Sequence, residues 1–242
     1  MTTLIVGANG ATGRLLVEEL LSRGDTIKII VRSLDRVPEA VRNNLNVSVI
    51  EASVLKVSDA DMAEHVRGCE AVVSCLGHNL SLRGLFGRPR RLVTDATRRL
   101  CKAIEANDPA LPVKFVLMNT TGNSNRDLNE PVSLGQRCVV GLLRLLLPPH
   151  ADNESAADYL RTCVGQRHGN IEWVAVRPDG LVNHAVATDY QIHASPTRSA
   201  IFDAGMTSRI NVAHFMAELT KDASIWARWR GRMPVIYNAA SG

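Results

Sequence analysis

Aromatic residues are scarce in this 242-residue sequence: three Trp, three Tyr and four Phe, or 4%. So few rings argue against the stacking platforms that bind single-stranded nucleic acid or RNA. A large excess of one charge is also missing. Lys and Arg number 28 against 24 Asp and Glu, and a net +4 is too mild for a nucleic-acid footprint. No long hydrophobic run exists. The most apolar stretch, Val139 to Leu147, is broken by Arg144 and falls far short of the roughly 20 residues of a membrane span. The N-terminus, Met1-Thr2-Thr3-Leu4-Ile5-Val6, carries no basic segment and turns at once into glycines, unlike a signal peptide. Cys69, Cys75, Cys101, Cys138 and Cys163 are odd in number and show no metal or redox spacing. Buried reduced thiols in a cytoplasmic protein are the expectation. At 45% hydrophobic and 21% charged residues, the composition excludes a disordered, collagen-like or coiled-coil chain.

What is present is alternation. Short apolar runs at Leu4–Val6, Ile27–Val31, Val47–Ile50, Ala71–Cys75, Lys114–Met118, Trp173–Val176 and Val235–Tyr237 read as strands. Helical patterns separate them: one with Leu15, Leu16, Leu20 and Leu21 on one side and Gly24 as its stop, and others at Asp59–Val66, Thr94–Ala106, Ala151–Val164 and Val212–Lys221. Strands this apolar, spaced by helices, predict a doubly wound parallel sheet with helices on both faces, an α/β fold. Length suits one domain over 1–242. Two segments break the alternation. Residues 78–91 form a basic loop holding His78, Arg83, Arg88, Arg90 and Arg91, and residues 181–210 are polar with little periodicity. Both follow the carboxyl end of a strand, where open sheets place ligands. The second is the expected small C-terminal substrate lobe.

The first strand runs into Gly7-Ala8-Asn9-Gly10-Ala11-Thr12-Gly13 and then a helix. Glycines at these steps allow a tight turn, close approach of a pyrophosphate, and close packing of helix on strand. The helix N-terminus then offers N–H groups and a positive dipole end to phosphates. Set inside a βαβ unit, this turn reads as a dinucleotide cradle.

The spacing G-x-x-G-x-x-G resembles the extended and atypical branches of the short-chain dehydrogenase/reductase superfamily. Ala71-Val72-Val73-Ser74-Cys75-Leu76-Gly77 resembles that group's fourth-strand motif, and Trp173-Val174-Ala175-Val176-Arg177-Pro178-Asp179-Gly180-Leu181 its sixth strand and turn. Ser208-Arg209-Ile210-Asn211-Val212-Ala213 resembles its late "isR-x-DvA" segment. Taken in order, these cover nearly the whole chain and are similar to NmrA-like and flavin/biliverdin-reductase-like NAD(P)H-binding proteins, with a Rossmann-type sheet. The resemblance implies cofactor contacts from Gly7, Asn9, Gly10, Ala11, Thr12, Gly13 and Arg14. Further contacts are implied from Arg32 and Ser33, Ser53 and Val54, Cys75, Leu76 and Gly77, Asn119, and Pro178. No metal is expected. Where the group shows "eGD", this chain has Glu51-Ala52-Ser53-Val54, which leaves Ser53 as a weaker hydrogen-bonding partner for adenine.

The residue ending the second strand selects the dinucleotide: an acid takes the ribose 2′-OH, an arginine the 2′-phosphate. Here the strand ends Ile30-Val31-Arg32-Ser33, and no acid stands at the junction. Arg14 and Arg36 are further cations, and guanidinium groups suit a phosphate. NADP(H) is the expected cofactor, with Asp35 the one feature against it.

The superfamily's Tyr-x-x-x-Lys pair occurs nowhere in the sequence. Alignment on Asp158-Tyr159-Leu160-Arg161 sets His150 at the Tyr position and Glu154 at the Lys position. A histidine suits a proton donor near neutral pH. Glu154 would raise the pKa of His150 rather than lower it. His150 after Pro148-Pro149 also reads as a residue opening a helix, and Tyr159 as a packing residue. Asn119-Thr120-Thr121-Gly122 stands in the place of the group's "SSxG", with Thr120 ahead of Thr121 as the substrate-orienting hydroxyl. These candidates, Thr120, His150 and Glu154, imply an NADPH-dependent reductase of a small, planar or aromatic substrate, without nucleic-acid or membrane partners. Monomer and homodimer both stay open. The alternatives are a nucleotide sensor of NmrA type and, further behind, a sugar epimerase or dehydratase.

Overall fold

The computed structural model describes residues 1–78, 87–128, 130 and 133–239. Of the basic loop, 79–86 including Arg83 lie outside the described residues. Strands β1 (Thr2–Val6), β2 (Thr26–Val31), β3 (Val47–Glu51), β4 (Ala71–Ser74), β5 (Val113–Met118), β6 (Ile171–Pro178), β8 (Tyr190–His193) and β10 (Val235–Asn238) form one sheet. Its order is β3-β2-β1-β4-β5-β6-β10-β8, parallel except for β8, which pairs antiparallel with β10. A separate parallel pair joins β7 (Gly180–Val182) to β9 (Met206–Ser208). The chain moves outward from β1 to β3, then returns to place β4 on the other side of β1. That reversal opens a crevice at the carboxyl ends of β1 and β4, the binding position of such sheets.

Alternating side chains divide the core. On β5, Phe115 and Leu117 join one buried cluster with Leu4, Val72 and Trp173, covered by Met62 and Val66 of α3 (Asp59–Val66). Leu100 and Ile104 of α4 (Leu92–Ala106) and Ala156 of α6 (Pro148–Tyr159) complete that layer. Val116 points the other way, with Ile5, Ile29 and Val174, against Leu16 and Leu20 of α1 (Ala11–Ser22) and Phe215 of α7 (Arg209–Lys221). A four-residue helix, α2 (Glu39–Arg42), lies between β2 and β3. Period-2 alternation with both faces buried is what the continuous apolar runs predict.

The sequence reading misses several elements. The apolar stretch Val139 to Leu147, read as no element, lies mostly in helix α5 (Leu134–Leu146). Helix α6 starts at Pro148, three residues before the expected Ala151, because proline is well suited to the first helical turn. Its last turn continues as a π-type turn over Leu160–Val164. Helix α8 (Ala223–Trp229) follows Asp222, whose carboxylate accepts from the amides of Ser224 and Ile225. Segment 181–210 contains strands of three and four residues, too short to show a period. Cys69, Cys75 and Cys101 are buried, but Cys163 is exposed, against expectation, on the outer side of the π-type turn.

Arg177 at the end of β6 is fully buried and ion-paired with Glu130, itself 2% exposed, at 2.6 Å. Removing one partner of such a pair leaves a charge buried alone, at a cost of about 3–5 kcal/mol. Glu130→Leu is expected to lower the unfolding free energy by about that amount in urea titrations, and Arg177→Met with Glu130→Leu to recover most of it. A small loss in the single variant would show that solvent reaches Arg177.

Candidate active site

The turn after β1 is built around its first and third glycines. Gly7 has φ +82°, and a Cβ there would lie 2.6 Å from the Cys75 carbonyl carbon and oxygen. A Cβ on Gly13 would stand 2.2 Å from the Gly7 oxygen, so helix α1 presses directly on the turn. Gly10 is different. Its amide closes the turn on the Gly7 oxygen at 2.9 Å, it is exposed, and a Cβ there meets only that oxygen at 3.1 Å and the Cys75 oxygen at 4.0 Å. Space above Gly10 is therefore open to solvent. No side chain caps the start of α1, and no acid sits in its first turn. An uncapped positive helix end with an open approach fits a phosphate. Thr12 is buried, so it presents main chain rather than hydroxyl.

Around this end lie the cations. Arg14, Arg32 and Arg36 are exposed, and Arg14 lines a cleft of about 360 Å³ with Ala11, Leu15, Glu18, Pro38, Asn183 and His184. The side chain of Asn9 donates to the Ser33 carbonyl at 3.3 Å, tying the glycine turn to the end of β2. Asp35 accepts from the Ser33 hydroxyl at 3.2 Å. One expectation needs correction: an acid does stand at this junction. Glu51 pairs in register with Val31, and its carboxylate accepts from the Leu34 amide at 3.3 Å. It comes from the neighbouring strand, which a scan along β2 alone cannot reveal. Beyond it, Ser53 is half-buried and Val54 buried. Arg99 of α4 holds that loop by donating to the carbonyls of Val54 and Val57.

At the ends of the central strands the predicted residues divide. Cys75 is buried with its thiol pushed up to about 12 by desolvation, and Leu76 and Gly77 continue at the rim. Asn119 has its polar atoms on the protein: Oδ1 accepts from the Thr120 amide at 2.8 Å, and Nδ2 donates to the Asn153 carbonyl at 2.9 Å. Thr121 is buried and donates to Asp179 at 2.9 Å, while the Pro178 carbonyl accepts its amide at 3.1 Å. Thr120 is half-buried, its hydroxyl accepting the Gly122 amide at 3.3 Å. Of the two threonines, Thr120 is the one with reach.

The His150 ring stands over Gly122, where an added Cβ would lie 3.3 Å from its Cε1 and 3.8 Å from Thr120 Oγ1. The structure thus brings Thr120 and His150 together, and sets Glu154 one helical turn on, its Oε1 3.8 Å from His150 Nε2. Glu154 does not act as expected. Arg144 from α5 grips both its oxygens, Nε to Oε2 at 2.5 Å and Nη2 to Oε1 at 2.7 Å. Burial lowers the His150 pKa below its ordinary value, Glu154 raises it, Arg144 lowers it again, and the lowering prevails. The expected rise is overturned chiefly because burial penalises the imidazolium, and the Arg144 charge from another helix adds to that lowering. Tyr159 is a packing residue, with Arg98 5.4 Å over its ring.

One neighbour of the site escapes the sequence reading. Asp152, two residues from both His150 and Glu154, points off the opposite side of α6. Its carboxylate accepts from the Val93 and Thr94 amides at the start of α4 and lies 2.8 Å from His78 Nε2. Burial alone would raise its pKa, but the hydrogen bonds from His78, Thr94 and Val93 hold it below the ordinary range. The i, i+2 offset was the available signal, since an acid off the His150 face must answer to another element. Among the described residues no cluster of His, Cys, Asp and Glu is arranged to hold a metal.

The family model for NAD(P)H-binding proteins matches residues 7–223. This chain belongs to the NAD(P)H-binding family. No protein of curated function matches it in sequence. Among solved structures, it is similar to the oxidoreductase ylbE of Lactococcus lactis, at 19% identity and a TM-score of 0.69 over 100% of this chain and 93% of that one. A short-chain dehydrogenase/reductase of Veillonella parvula, solved with NADP, gives 19% and 0.71, covering 99% and 95%. An anaerobillin reductase of Escherichia coli O157:H7, ChuY, gives 15% and 0.68, covering 100% and 99%. At such identities the likeness is one of fold.

Asp152 generates a stability test. Its folded pKa lies below the unfolded value, so its stabilisation is present above the unfolded value near 4 and is lost as pH falls through the folded one. Asp152→Ala leaves two α4 amides without their acceptor and should cost about 1–3 kcal/mol at pH 7 in urea titrations, with a flatter stability profile below about pH 4. An unchanged midpoint at pH 7 would mean that water replaces the carboxylate without penalty.

Proposed function

We propose that this protein is an NADPH-dependent reductase of a small, planar or aromatic substrate. One observation carries the reading: an open, uncapped helix end beneath the glycine turn shares a strand edge with the Thr120–His150 pair. The turn and α1 would hold the pyrophosphate, and Arg32, Arg14 and Arg36 the 2′-phosphate. Ser53 and Val54 would line the adenine, and Cys75 to Gly77, Asn119 and Pro178 the nicotinamide half. The cofactor supplies a hydride. The chain's own contribution is to orient the acceptor, with the Thr120 hydroxyl and the His150 imidazole at the oxygen that gains a proton. No helix among the described residues is long and apolar enough to cross a membrane. We place the protein in the cytoplasm, working on a soluble small molecule as a monomer or homodimer, with no nucleic-acid or membrane partner. A second reading, a nucleotide sensor, is favoured by Glu154: in the lysine position, it is already closed in an ion pair with Arg144.

Calorimetry decides the cofactor. NADPH should bind more tightly than NADH, and Arg32→Ala should cost about 1.5–3 kcal/mol, tenfold or more, for NADPH alone. Glu51→Gln tests the acid at the same junction. Equal affinity of the wild type for both dinucleotides would end the NADPH assignment.

A screen of quinones, flavins and aldehydes for NADPH oxidation separates enzyme from sensor. Because the His150 pKa is lowered, its imidazolium becomes populated only as pH falls below about 6.5. The rate should therefore climb from pH 7.5 toward the acid side, and His150→Ala should flatten that climb and slow turnover about 10²-fold. A His150→Ala profile identical to wild type would move the proton source to solvent or Thr120.

A further inference from the structure

His150 Nε2 is a buried ring nitrogen with no hydrogen-bond partner. A buried polar atom left so carries a desolvation penalty of about 1–3 kcal/mol unless something fills its place. Glu154 Oε1 lies one helical turn away, but its 3.8 Å from Nε2 is too long for a hydrogen bond. The reason is visible. That oxygen accepts from Arg144 Nη2 at 2.7 Å, and the other from Arg144 Nε at 2.5 Å, so the carboxylate is held in a two-pronged grip from α5. Without that grip, a glutamate four residues after a histidine on one helix is placed to close on it as an ion pair.

We propose that Arg144 is a positioning residue for His150: by clamping both oxygens of Glu154, it keeps that carboxylate off Nε2 and leaves the nitrogen for a ligand oxygen. The inference rests on the reductase reading, in which that oxygen is the substrate carbonyl. It also refines the substrate class. Arg144 and Glu154 offset each other's charge, so among the described residues no unopposed charge of either sign stands on α5 or α6 beside the His150 ring and the Thr120 hydroxyl. An uncharged carbonyl is matched there, and a carboxylate finds no unopposed cation. Among the described residues the charged groups acting on His150 are Glu154 on its own helix and Arg144 on α5, while the turn after β5 brings uncharged Gly122 against its ring. Helix α5 thereby sets the proton state of a residue on α6, and it does so only while the two helices are docked.

The test is an NMR titration of the His150 ring nitrogens in the full chain without cofactor or substrate. Wild type should titrate below the ordinary histidine value. In Arg144→Gln the freed Glu154 should close on Nε2 and raise the midpoint by one pH unit or more, as an opposite charge within about 4–6 Å does. Glu154→Gln added to Arg144→Gln should bring the midpoint back down, and Arg144→Lys should give an intermediate value because a point charge cannot grip both oxygens. Arg144 is half-exposed, and circular dichroism of each variant checks that the fold is kept. A midpoint unmoved in Arg144→Gln overturns the proposal, as does a rise that persists in the double variant. With a carbonyl substrate in hand, the acid limb of the kcat profile should shift in Arg144→Gln by the same amount as the NMR midpoint. The reductase reading stands or falls separately, on whether wild type oxidises NADPH with any carbonyl compound, quinone or flavin.

Discussion

The guanidinium of Arg177 holds the upper edge of this molecule together. Its five N–H bonds all have acceptors: Nε on the Met233 carbonyl, Nη1 on the Asn123 carbonyl and Glu130 Oε2, Nη2 on Glu130 Oε1 and the Ala194 carbonyl. Those partners come from the approach to β10, the loop after β5 and the segment after β8. One fully buried planar cation therefore ties three pieces of chain together. Beside it, Asp179 does the same on a smaller scale, accepting from Thr121 and from the Gly205 amide at 2.8 Å. Thr120 and Gly122 stand in this braced loop, so the place of the Thr120 hydroxyl is set from beneath by charge rather than by packing alone.

Much of the frame is legible in the sequence because its causes are local. Seven apolar runs give seven strands of the sheet, and Asp59–Val66 is a helix in both readings, since Ser58 caps it through the Asp61 amide. The glycine turn is legible for the same reason: the collisions that demand glycine at 7 and 13 arise within a few residues and one neighbouring strand. What escapes is whatever depends on a distant partner. Glu130 lies 47 positions from Arg177 and Asp152 58 from Thr94, and nothing in the spacing announces either meeting. The strands of 181–210 are visible only once β10 and each other are in place to pair with them.

The site repeats this lesson in its electrostatics. His150 and Glu154, four apart on a helix, are legible as a pair, and the pairwise rule gives a raised histidine. Burial and Arg144 reverse the sign. Glu51 likewise becomes a neighbour of the β2 junction only through the parallel register of β3 on β2. In both cases the residues were in view, and the third participant was supplied by tertiary structure.

Strand β8 belongs by sequence to the segment set aside as a substrate lobe, yet it pairs along its whole length with β10, from Val235 opposite His193 to Asn238 opposite Tyr190. A lobe sewn into the main sheet is not a jaw. Swinging it away as a rigid body would strip an edge strand and its backbone bonds, a cost that hinged domains avoid by placing the hinge in loops. Breathing of this crevice must then fall to parts that no ladder restrains, of which α5 is the most prominent, joined to α6 at Leu147 and held down by Arg144. Traffic of small molecules would follow the helix that the Arg144–Glu154 ion pair latches, and the sheet would stay still beneath it.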